Sequence, residues 1–81
     1  MAFQQSEAYR KNLAEMTGAL EREGYISKEN NVLILHHINS PEKLEQFRTW
    51  GRSKMNGSKL EATEAEITRA AVKIYKGETP A

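Results

Sequence analysis

The sequence predicts a small α+β domain in the order helix, β-hairpin, helix, helix. Three observations carry that expectation. Apolar residues recur at helical spacing in three stretches. A β-branched run bounded by turn residues separates the first stretch from the other two. The length, 81 residues, holds one domain over 1–81 and no second one.

The first helix is expected from about Ser6 to Glu23. Tyr9, Leu13, Met16 and Leu20 fall at i, i+4, i+7 and i+11 and make one stripe. Ser6 suits a cap, because its hydroxyl accepts from a first-turn N–H. Gly24 suits the stop. Tyr25-Ile26-Ser27 and Val32–Ile38 then read as two strands joined across the polar turn Lys28–Asn31. The unbroken run Val32 to Leu35 implies burial on both faces.

Asn39-Ser40-Pro41 is a helix start, with Ser40 as cap and Pro41 at the first helical position. Leu44, Phe47 and Trp50 form its apolar face, with Met55 a turn later. The helix is expected to end near Lys54, before the turn signal Asn56-Gly57. Thr63-Glu64-Ala65-Glu66 has capping-box spacing, and Ile67, Ala70, Ala71 and Ile74 follow at i, i+3, i+4 and i+7. Gly77 closes this helix, and residues 79–81 read as a frayed tail.

Composition narrows the function. There are no cysteines, which excludes disulfides, thiolate metal sites and cysteine nucleophiles. No apolar run approaches the ~20 residues that span a bilayer. The N-terminal stretch has no basic region followed by an apolar one, so a cytoplasmic protein without membrane contact is expected. A chain of this size buries only about 60–65% of its unfolded surface, which makes self-association attractive. The expected route is strand pairing with a second copy along Val32, Ile34, His36 and Ile38, giving a homodimer.

Candidate chemistry is sparse. His36 and His37 are the only histidines, and on a strand they point to opposite faces. No phosphate loop or nucleophile elbow is present, and the acids sit beside bases, as Glu7 with Lys11 and Glu66 with Arg69. A non-enzymatic protein without cofactor or metal is expected.

The net charge of +1 is an average. Residues 31–60 carry five bases and two acids, and each flanking segment has one more acid than base. The excess lies in Arg48, Arg52, Lys54 and Lys59, with Phe47 and Trp50 interleaved. Trp50, the only tryptophan, falls at the edge of its helix face, where tryptophan serves as core or as a binding hot spot.

Leu20–Ile26 followed by Val32–Ile38 resembles the end of the recognition helix and the wing of winged-helix regulators over about nineteen residues. Here the remaining two helices follow the hairpin, and no site residue is carried over. The expected function is therefore a small regulatory binding protein (an inhibitor, adaptor or accessory subunit) that contacts a protein partner through Arg48, Trp50, Arg52, Lys54 and Lys59. The alternative is a DNA-binding regulator that uses the basic segment 48–59.

Overall fold

The computed structural model describes residues 2–80, with side chains from Glu7 onward. The described residues are mostly helical and form four helices and one two-stranded antiparallel hairpin. In order these are α1 (Ala2–Arg22), α2 (Lys28–His37), α3 (Pro41–Ser53), β1 (Met55–Asn56), β2 (Lys59–Leu60) and α4 (Glu64–Tyr75). Packing runs in a ring: α1 on α2, α2 on α4, α4 on α3 and α3 on α1.

Helix α1 begins at Ala2, four residues before the expected Ser6 start. Its stripe works as read. Leu13 is buried, and Tyr9, Met16 and Leu20 pack against the core. Thr17 is fully buried among them and satisfies its hydroxyl on the Leu13 carbonyl at 2.9 Å. The stop at Gly24 has a full hydrogen-bond motif. Gly24 N–H reaches the Glu21 carbonyl (3.1 Å), and Tyr25 N–H reaches that of Leu20 (2.8 Å). Gly24 takes φ +83°, where a side chain is strained.

The hairpin is not where the sequence places it. Tyr25–Ser27 and Val32–Ile38 are not strands, and the polar turn between them is the first turn of α2. Ser27 is the N-cap, its hydroxyl accepting from the Asn30 N–H at 3.2 Å. Ile34 and Ile38, four apart, turn inward and are fully buried, whereas Val32 is 64% exposed. Four consecutive apolar residues look alike in a buried strand and in a helix, so the run itself does not decide. Packing of Ile34 and Ile38 into the core overrides the β-branched propensity.

This corrects the expected self-association route. Val32, Ile34, His36 and Ile38 do not share a strand edge, and two of them fill the chain's own core. The winged-helix resemblance fails at the same place, because the supposed wing is a helix. His36 and His37 are neighbours on the last turn of α2, with ring centroids 5.5 Å apart. His37 stacks edge-on against Tyr75 of α4 at 4.7 Å.

The true hairpin is built on the Asn56-Gly57 turn. Met55 pairs with Leu60 and Asn56 with Lys59, and Glu61 N–H adds a bond to the Lys54 carbonyl at 2.8 Å. Met55 thus belongs to the hairpin and is exposed rather than extending the apolar face of α3.

The last two helices follow the sequence closely. Ser40 caps α3, accepting from Lys43 N–H at 3.2 Å, and Pro41 stands at its start. Gly51 lies within α3. Thr63 and Glu66 form the reciprocal capping box of α4. Leu44, Phe47 and Trp50 meet Ile67, Ala70, Ala71 and Ile74 in the core.

Polar ties join α2 to both of its neighbours. The Glu64 carboxylate accepts from the Ser27 backbone N–H and the Asn30 amide, joining α4 to α2. The Asn31 amide donates to Glu21, joining α2 to α1. Of the expected tail, Thr79 and Pro80 are in neither helix nor strand, Pro80 is half-buried, and Ala81 lies outside the described residues. Among the described residues no helix is long and apolar enough to cross a membrane.

Candidate functional site

An open groove lies between the C-terminal half of α1 and the middle of α3, bounded at one end by the hairpin. Its volume is about 580 Å³. The lining is mainly apolar: Met16 and Leu20 from α1, Phe47 and Trp50 from α3, and Met55 and Leu60 from the hairpin. Stripe residues that face the core at one end of α1 face this groove at the other. Met55 is exposed and Leu60 half-buried, so the groove is partly wetted apolar surface.

Charge lines it unequally. Arg48 and Arg52 come from α3, and Glu23 comes from the end of α1. Arg52 reaches Glu45 at 3.3 Å, but both side chains are 62% exposed, and such a pair holds weakly. Arg48 makes no ion pair among the described residues. The two arginines are four apart on one helix and therefore project on the same side.

Trp50 is 8% exposed and belongs to the core. Its ring lies parallel to that of Phe47, with centroids 6.3 Å apart. It reaches the groove only as part of the lining. Lys54 caps the end of α3, its Nζ 5.9 Å from the Trp50 ring centroid. There it lines a separate, smaller recess against α4. Lys59 is exposed on the hairpin and lines neither cavity. The structure thus brings Arg48, Trp50 and Arg52 to one groove, turns Lys54 to another, and leaves Lys59 apart.

Sequence reasoning missed the other half of the groove. Met16 and Leu20 are legible as an apolar stripe, but only the crossing of α1 over α3 sets them opposite Arg48. Met55 and Leu60 flank the true hairpin turn, and their signal in the sequence is two apolar residues on either side of Asn-Gly.

The acids with displaced pKa values are engaged in structural roles. The carboxyl of Glu64 is held below its ordinary value by the backbone N–H of Ser27, with side-chain hydrogen bonds adding to this. That of Glu66 is held down by the backbone and hydroxyl of Thr63. Burial raises the Tyr9 phenol against the opposing charge of Arg10, and its hydroxyl donates to the Ile38 carbonyl.

No protein-family model, curated protein or solved structure matches the chain.

Proposed function

We propose that the chain is a small non-enzymatic regulatory protein that acts by contact with a protein partner, and that the groove between α1, α3 and the hairpin receives it. The occupant is an amphipathic helix with acidic flanks. The observation that carries this is the pairing of an apolar channel with two arginines on one wall. Apolar residues spaced i, i+3 or i+4 and i+7 on a helix would bury Met16, Leu20, Met55 and Leu60. Its acids would meet Arg48 and Arg52, and charge complementarity would set its orientation.

Two features support this reading over the others. The acids with displaced pKa values, Glu64 and Glu66, are occupied as helix ties and caps, which favours binding over acid–base catalysis. A DNA contact through 48–59 would want its bases on one phosphate-tracking strip. Their division between groove and recess favours a protein partner.

The test uses a synthetic helical peptide of two heptads with leucines on one face and glutamates beside them, and a second with lysines in place of the glutamates. Binding is read by the fluorescence of Trp50, the only tryptophan. The acidic peptide is expected to bind at least about tenfold tighter than the basic one, and Arg48→Glu with Arg52→Glu is expected to reverse that order. Equal binding of the two peptides, or none, overturns the proposal. So does a dimer in sedimentation that Leu20→Asp dissociates, because the groove would then hold a second copy.

A further inference from the structure

Trp50 also walls the small recess between the end of α3 and the exposed side of α4. The recess measures about 90 Å³ and is lined by Trp50, Lys54, Glu66, Arg69, Lys73 and Pro80, with Ala70 at its base. Three cations from two elements therefore border one small volume. Arg69 and Lys73 are four apart on α4 and share a face. Lys54 is placed beside them by the turn into the hairpin. Among the described residues none of the three makes an ion pair.

Glu66 is the one acid in the lining, and its Oε1 is already engaged. It accepts from the Thr63 N–H at 2.9 Å and the Thr63 hydroxyl at 3.1 Å. Those bonds chiefly, with Lys54 and Arg69 adding to them, keep its carboxyl below the ordinary range. The recess thus keeps a surplus of positive charge after its own acid is counted.

We infer that this recess is a phosphate site, in which Lys54, Arg69 and Lys73 hold the phosphate monoester of a modified side chain on a protein partner. Three mobile or forked donors bordering one recess suit a compact dianion, with Arg69 able to give two parallel N–H bonds. The volume, about 90 Å³, suits one tetrahedral group, with the rest of the ligand lying outside the recess. A phosphodiester chain would need cations spaced along a track. The inference rests on the protein-contact reading for the origin of the phosphate, but the site itself does not depend on the groove.

Titration of the whole protein with inorganic phosphate and with phosphoserine, at a constant ionic strength of about 0.15 M, reads the site through Trp50 fluorescence. Saturable change with both is expected, with chloride giving none. Lys54→Gln, Arg69→Gln and Lys73→Gln should each weaken phosphoserine at least about fivefold, with thermal melts unchanged. Arg48→Gln should leave it unaltered. Glu66→Gln keeps the cap, since glutamine serves at that position, and should tighten binding.

A response that chloride reproduces, or one insensitive to all three neutralised cations, overturns the site. Tighter binding of a single-stranded oligonucleotide than of a phosphopeptide, lost with the same three substitutions, overturns the monoester assignment. The acidic leucine peptide is titrated in the same samples. Silence toward phosphate alongside intact peptide binding refutes the phosphate site alone; the converse refutes only the groove.

Discussion

Glu64 shows how one carboxylate can hold two helices. Its ionised form accepts from the Ser27 N–H and the Asn30 amide, which lowers its pKa in the folded chain. A carboxyl depressed by folding contributes stability that is present above its unfolded pKa and is lost as pH falls through the folded one. Glu64→Gln is therefore expected to lower the melting temperature at pH 7, with the gap to the parent closing as the solution is acidified below pH ~4. Melts from pH 7 to 3 check the sign, and a gap that widens on acidification contradicts it. At Gly24 the argument is steric. Its φ of +83° puts a side chain in the left-handed region, so Gly24→Ala should cost about 1 kcal/mol, read from denaturant midpoints.

Helix α2 is where reading and structure part, and it offers a sharp experimental contrast. On a buried strand Val32, Ile34 and Ile38 would lie on one face and respond alike to substitution. On the helix they do not. Ile34→Ala should cost about 2–4 kcal/mol, because a fully buried side chain is lost, whereas Val32→Ser should change stability by about 0.5 kcal/mol or less. Urea unfolding of both variants distinguishes the two arrangements. Helix α3 carries a complementary test. A Cβ built on Gly51 meets nothing within 4 Å, so Gly51→Ala should stabilise the chain by about 0.5–1 kcal/mol through helix propensity. The local sign for α2 is Ser27, which precedes Lys28-Glu29-Asn30 as a cap precedes a first turn. The clean starts of α3 and α4 were legible because Ser-Pro and the Thr…Glu box act within four residues and need no neighbour.

At the scale of the molecule the ring of four helices makes one body. Its radius of gyration is 12.0 Å, against about 12 Å expected for a compact chain of this length. Among the described residues the eleven buried apolar ones belong to a single cluster to which every helix contributes. Thermal unfolding followed by Trp50 fluorescence and by far-ultraviolet circular dichroism should accordingly superimpose. Separate midpoints would show that the α3–α4 side melts apart from α1 and α2. The groove and the recess both border Trp50, so the same fluorophore reports ligand at either and unfolding of the core between them.

By itself the sequence determined the absence of disulfides, the apolar faces of α1, α3 and α4, and the caps that start the last two helices. Each depends on composition or on interactions a few residues long. Tertiary structure decided the state of residues 28–38, the position of the hairpin, and which charges share a surface. Those depend on contacts between residues far apart in the chain. Ile34 becomes helical core because α1 and α4 close over it. Lys54 leaves Arg48 and Arg52 and joins Arg69 and Lys73 because the turn into the hairpin carries it across Trp50 toward α4.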